Sequence, residues 1–441
     1  MKIRKNILLL FCLLFLLPAV NAQAAGSDSS SLAFLKGAHV VAKESDQVSV
    51  SSSMSTASDT SVSTSSATKT QAVNKIYQAL SSFKKTVDLS EYKIVYSDKT
   101  ASSLLDTALD KDLYLFNVLA NKTDFSEESE FCACYTNGNY IDSFEFQYNA
   151  KASSLQAQYK KLKATVSKIQ TSLNLEQASR EEIVLKVHDY IALHTDYNMA
   201  KTPARSSYTA CGVLMNGKAV CSGYATAYQL LLYEYGISSE IATSEKMDHA
   251  WNLVKLGSKW YHVDVTWDDP YPEQKNYVTY WFFLKTDKEF KNHSVSKHYS
   301  WESDGIKCTS KRYSKLPLSD NKNLFYYDSN WYYNSKNSSG STYQYYKYNF
   351  TFTNGTRIAT SSIPFVKYGS RIYFASKPYR IASINIDGTI PKTVKTVSTK
   401  RAARLSSMKI SKNKINYTYY LKGKKKKGTV RLTTALKNTA S

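Results

Sequence analysis

The stretch Val220–Gly236, VCSGYATAYQLLLYEYG, sets a cysteine at the head of an apolar run. Downstream, DHAWNLVKLGSKWYHVDVTWDDP carries His249 and Asp264. A thiol, an imidazole and a carboxylate are the parts of a nucleophilic acyl-transfer site. The imidazole takes the thiol proton, the thiolate attacks a carbonyl, and the carboxylate orients the ring. The chemistry requires that the elements carrying these residues bring them together.

Tyr224, Ala227, Tyr228, Leu231, Leu232 and Tyr235 recur at spacings of three and four, which predicts a helix stopped at Gly236. Cys221 opens that helix, where free amides and the helix dipole favour an anionic sulfur. Its backbone N–H is also placed to serve an oxyanion hole. Gly223 admits close approach by another chain segment or a substrate. Both halves of the downstream stretch alternate like strands about Gly257 and Ser258. A two-residue turn there pairs Leu256 with Lys259, Leu253 with His262, Trp251 with Asp264 and His249 with Thr266. His249 and Asp264 are then diagonal neighbours on one face, within side-chain reach.

Other residues compete for these roles. His262 shares the face of Asp264, but it lies opposite Leu253, and its neighbours Trp260 and Tyr261 point to packing. Cys211 has no helical run directly after it. Asp268 and Asp269 precede Pro270 and read as turn acids. His188 and Asp189 are adjacent on a predicted helix, hence about 100° apart around its axis, so structural roles are expected for His188 and His194.

Several ordered blocks carry a family resemblance. GVLMNGKAVCSGYATAYQLLLYEYGI followed by HAWNLVKLGSKWYHVDVTWDDP, flanked by VHDYIALHTDYN and YWFFLKTDKEFKNH, resembles the bacterial transglutaminase-like superfamily, a papain-like cysteine fold. The similarity spans Ser179 to Tyr299. It implies Cys221 as nucleophile, His249 as base and Asp264 as the group that orients the base. It implies a protein or peptide amide as substrate, and leaves cross-linking, deamidation and proteolysis open. No calcium loop or other metal or cofactor signature is present, so a metal-independent site without cofactor is expected.

The rest of the chain supplies context. Lys2, Arg4 and Lys5 precede an apolar run over Ile7–Val20 and small residues ending at Ala25, the pattern of a secretory signal peptide over residues 1–25. Residues 26–71 are rich in Ser and Thr and read as a disordered linker. Residues 72–152 alternate helical and strand patterns (AVNKIYQALSSF, YKIVYS, SSLLDTALD, SFEFQYN), which predicts a small α+β region. The transglutaminase-like domain is expected over 153–310. From residue 311 onward there are 26 Lys and Arg against three acids, so the whole formal excess of +22 lies there. In this region NWYYNS, RIYFAS and KINYTY recur about every 40 residues, near the blade length of propeller repeats. Three copies are too few to close a ring, and the expectation is an antiparallel β-domain with blade-like repeats. The fold class as a whole is α+β. The chain is expected to be exported, secreted or held at the cell wall, without a transmembrane segment after signal removal. The basic domain favours an anionic cell-wall polymer as partner rather than nucleic acid. A surface-binding protein that keeps the fold without catalysis is the alternative reading.

Overall fold

A computed structural model describes residues 40–44, 65–122, 131–148, 150–269, 278–293, 297–315, 324–327, 330–353, 355–398 and 402–432. The expected signal peptide and most of the expected linker lie outside the described residues. The chain divides into two compact units, Met1–Ser310 and Lys311–Ser441.

In the first unit, part of the segment expected as linker is regular structure. Strand β1 (Val40–Glu44) and the first turns of helix α1 (Ser66–Ser81) both fall within it. The Ser65 hydroxyl caps α1 by accepting the Thr68 N–H, and Ala72, Ile76 and Leu80 form its buried stripe. Strand β2 (Thr86–Asp88), helices α2 (Asp98–Leu109) and α3 (Leu113–Lys122), and strands β3 (Cys132–Asn137) and β4 (Tyr140–Phe146) follow. The sheet order is β1-β3-β4-β2, with β1 parallel to β3 and the other pairs antiparallel. The alternating run YKIVYS forms no strand. Lys93 adopts a left-handed conformation that breaks the extension, leaving Val95 in an isolated bridge to Tyr140.

Helices α4 (Ala152–Leu173) and α5 (Arg180–His194) lead to a two-residue parallel pairing of β5 (Asp196–Tyr197) with β6 (Lys218–Ala219). Helix α6 (Cys221–Glu234) is buried on nearly every side, not along one stripe. A helix apolar all round belongs at the centre of its unit, and α6 packs against α5 and against an antiparallel sheet. That sheet runs β7 (Ser239–Ser244), β8 (His249–Leu256), β9 (Lys259–Val263). Gly257, at a φ of 62°, makes the two-residue turn, and the register pairs Leu256 with Lys259 and Leu253 with His262. Short helices α7 (Val265–Asp268) and α8 (Asp287–Lys291) are the last α-helices described in this unit.

The second unit holds three consecutive antiparallel meanders. The first is β10 (Leu324–Tyr327), β11 (Asn330–Lys336), β12 (Tyr343–Tyr348) and β13 (Gly355–Ser361). The second is β14 (Val366–Tyr368), β15 (Arg371–Lys377), β16 (Arg380–Asn385) and β17 (Lys392–Thr396). The third is β18 (Arg404–Ser411), β19 (Lys414–Leu421) and β20 (Lys424–Arg431). Each recurring aromatic motif of the sequence is the second strand of its sheet. The middle sheet is buried on both faces. Ile372 and Phe374 pack toward Tyr332 and Tyr345, whereas Tyr373 and Ala375 pack toward Leu405, Ile415 and Tyr417. Opposite-facing neighbours along one strand explain why IYFA after Arg371 reads as a continuous apolar run.

Candidate active site

Three elements converge on one point of the first unit. Helix α6 presents Cys221 at its first turn, strand β8 begins at His249, and Asp264 follows the end of β9. Asp264 does not continue the strand; it caps α7, its Oδ1 accepting the Trp267 N–H at 3.1 Å. Its Oδ2 accepts from His249 Nε2 at 2.7 Å. That contact leaves Nδ1 of His249 for the sulfur, and Cys221 is near enough to the ring to raise its pKa. The Cys221 thiol also approaches the Asp248 carbonyl at 3.9 Å. Asp248 holds a left-handed conformation at a φ of 43° at the entry to β8. Asp tolerates this region better than most side chains, so the turn that aims the carbonyl has a suitable residue.

Gly223 has a specific steric reason. A Cβ there would lie 2.4 Å from the Ser207 carbonyl oxygen and 2.8 Å from the Ala219 Cβ. The close approach foreseen at this glycine is made by the protein's own backbone, which braces the start of α6. The site is nearly enclosed: Cys221 is 2% exposed and His249 5%.

Burial opposes charge on His249, but the Asp264 carboxylate and the Cys221 sulfur outweigh it and raise the imidazole to about 10. Burial would likewise raise Asp264, yet His249 and His298 hold it well below the usual carboxylate range. The buried pair is therefore an imidazolium–carboxylate ion pair across neutral pH.

Comparison with known proteins bears on this arrangement. Residues 167–265 match the family model of the Transglutaminase-like superfamily, a segment that contains Cys221, His249 and Asp264. This segment is a transglutaminase-like domain. A solved structure described as that of a TGase is 19% identical, covering 30% of this chain and 42% of that one, with a TM-score of 0.22. The N-terminal domain of Nup159 is 7% identical, covering 43% and 44%, with a TM-score of 0.18. The chain thus spans less than half the length of either solved chain. No curated protein matches it.

The transglutaminase-like domain is joined by a residue that sequence reasoning passed over. His298 donates its Nε2–H to the same Asp264 oxygen at 2.8 Å. It is fully buried between Trp251, Trp267, Phe282 and Phe290. Burial lowers it to about 4 despite the carboxylate, so it is a neutral donor. The signal available was a histidine just beyond the quoted block YWFFLKTDKEFKNH, in a stretch without periodicity.

The rival residues have other partners. His262 accepts the Trp251 indole N–H on Nδ1 and donates Nε2–H to Asp287, each at 2.9 Å. Both ring nitrogens are committed, and the ring stacks on Phe290. Cys211 is buried against Asn117 and Gln158. His194 lies at the surface, its ring stacked on Tyr190.

His188 and its carboxylates correct two expectations. His188 Nδ1 does reach Asp189 Oδ1, at 3.1 Å, because the side chains bend toward each other despite the angle between adjacent helix positions. His188 Nε2 meets Asp268 Oδ2 at 3.2 Å. Asp268 is therefore no surface turn acid; it is fully buried and also accepts from Thr279 Oγ1 and the Phe282 N–H. Asp269 accepts the Tyr224 hydroxyl at 2.6 Å. Burial opposes protonation of His188, but its two carboxylates raise it to about 9. The His188–Asp268 pair ties α5 to α7, the turn that Asp264 caps.

Among the described residues, two sets of side chains bring three ligand-type atoms within 4.8 Å: His249, Asp264 and His298, and separately His262, Asp287 and Cys308. In the first set, both imidazole Nε2 atoms face Asp264 through N–H bonds. In the second, the indole donor fixes the proton of His262 on Nε2. A cation at either place would displace protons that already hold the structure together. Burial also drives the Cys308 thiol up, away from the thiolate that a metal requires.

Proposed function

We propose that the protein is an exported cysteine enzyme in which Cys221, His249 and Asp264 act on protein or peptide amides near the cell surface or wall. The observation that carries this reading is the 2.7 Å contact between His249 and Asp264, with Cys221 beside the ring at the head of a central helix. The imidazolium supports a thiolate, which attacks the amide carbonyl carbon. His249 then gives its proton to the leaving nitrogen, and a thioester to Cys221 remains. Water as second acceptor gives deamidation or proteolysis; an amine gives a cross-link. The leader-like first 25 residues support export.

Incubating candidate surface peptides and proteins with wild type and Cys221→Ala, followed by mass spectrometry, tests this reading. A small mass gain, a loss of ammonia or a cut chain, present only with wild type, identifies deamidation, cross-linking or proteolysis respectively. Identical spectra for the two proteins on every candidate would oppose it.

The near-enclosure of Cys221 is the one observation that favours the second reading, a binding protein that keeps the fold without catalysis. In that case the sulfur packs, and substitution of His249 leaves its chemistry unchanged.

A further inference from the structure

The third sheet of the second unit has one buried and one exposed face. Leu405, Met408, Ile415 and Tyr417 pack inward, and Ile410, Tyr419 and Val430 support them. The register places the alternate residues outward. Those positions carry Arg404 and Lys409 on β18, Lys414 on β19, and Lys425, Lys427 and Arg431 on β20, all exposed. No acidic residue occurs anywhere in residues 404–431, nor after Asp387.

Two features separate this face from an ordinary solvated surface. Lysines on an exposed edge strand protect it from pairing with other chains, and this accounts for a run on β20. It covers Arg404 and Lys409 on β18, the other edge, but not Lys414 on the central strand. Moreover, Lys414 and Arg431 are directly opposed on one face. Like charges so placed cost stability, and no carboxylate in the sheet offsets them.

The chemistry of the face selects among polyanions. Tyr417 and Tyr419 point to the core side, so Tyr420 is the one exposed aromatic of the sheet. A row of stacking platforms for bases is therefore missing among the described residues of the sheet. The outward positions also lack a large aliphatic side chain to enter a bilayer. What remains is cations about 7 Å apart along a strand and about 5 Å across strands, interleaved with Ser411, Asn416, Thr418 and Thr429.

We infer that this face binds a linear polyanion with a hydroxylated backbone and regularly spaced phosphodiester groups. Its cations meet the phosphates, and the intervening hydroxyl and amide groups meet the backbone. This deepens the cell-surface placement proposed above, but it does not depend on Cys221 chemistry.

The test uses the full chain and immobilised poly(glycerol phosphate), with binding measured from low to physiological salt. Replacing Lys409, Lys414 and Lys427 together by Gln is expected to weaken binding on the order of tenfold or more at low salt, and to flatten the slope of log affinity against log salt by about two to three. Replacing Lys377, Lys392 and Lys395, exposed lysines of the neighbouring sheet, removes the same charge and is expected to change affinity less than threefold. Equal losses in the two triple variants would overturn the inference, since net charge alone would then explain binding. So would tighter binding, at equal phosphate, to single-stranded DNA or to vesicles containing anionic lipid. Unchanged melting temperatures show that the variants are folded. Activity on a small uncharged peptide reports on Cys221 separately, so loss of one property leaves the other readable.

Discussion

His298 and His249 share one oxygen of Asp264, at 2.8 and 2.7 Å. The two rings differ in charge. His249 is the imidazolium of the ion pair, and His298 is a neutral donor that holds the carboxylate in place. Under the proposed function His298 is a positioning residue, since it reaches the reacting atoms only through Asp264.

His298→Phe keeps an aromatic ring in the box but removes the N–H donor. The expected result is a fall in kcat on the order of tenfold to a hundredfold with little change in KM, and an acid limb of the pH profile shifted upward as Asp264 loses a stabilising donor. His298→Gln, which can still donate, is expected to restore part of both. An unshifted acid limb in His298→Phe would assign the ring to packing alone.

The ion pair makes stability depend on pH. His249 is raised to about 10, so its contribution is full below its unfolded value of about 6.5 and is lost as pH rises through about 10. Asp264 is depressed, so its contribution is present above its unfolded value of about 4 and is lost as pH falls through its lower folded value. Wild type should exceed His249→Gln in melting temperature most between about pH 4 and 6.5, with the gap closing toward pH 10. Parallel melting curves over that range would contradict the ion pair.

Gly223→Ala tests the brace under α6. A methyl group 2.4 Å from the Ser207 oxygen cannot be accommodated without moving backbone. Destabilisation of about 1–3 kcal/mol is expected, together with loss of activity out of proportion to the unfolded fraction, because Cys221 moves with the helix start. Denaturant titration and an activity assay on the folded fraction check this. Full activity at wild-type stability would show that the contact yields freely.

Removing Asp268 from the buried His188–Asp268 pair leaves His188 with Asp189 alone and takes the acceptor from Thr279 Oγ1 and the Phe282 N–H. Asp268→Ala is expected to cost about 3–5 kcal/mol in urea unfolding. A loss below about 1 kcal/mol, the scale of an exposed pair, would place the pair in solvent and contradict its burial.

Local patterns carried much of the candidate site in the sequence. The strand alternation around Gly257 and Ser258 sets the register of β8 and β9, but the pairing ends at Asn252 and Val263; the expected Trp251–Asp264 and His249–Thr266 pairs do not form, and Asp264 reaches His249 from the cap of α7. The helical spacing after Cys221 marks α6, although only its packing shows that it is buried on every side. Contacts between distant segments leave no such trace. Asp268 meets His188 across 80 positions, and His298 meets Asp264 across 34. The same holds for β1, five residues in a Ser-rich region whose order comes from pairing with β3. In the second unit, aromatic motifs about 40 residues apart marked one strand per sheet, while strands such as β17 and β20, rich in Lys and Thr, were less distinct.

The most direct measurement of the central claim is alkylation of the folded protein with iodoacetamide at pH 6, with the modified cysteine located by peptide mapping. An ordinary thiol, with a reference value of about 8.5, is almost wholly protonated there. Burial pushes the Cys132, Cys134 and Cys308 thiols up, which keeps them unreactive. The predicted result is rapid labelling at Cys221, slowed at least tenfold by His249→Ala. Slow labelling of Cys221 that is indifferent to His249→Ala would contradict the enzyme reading and leave the site as packing.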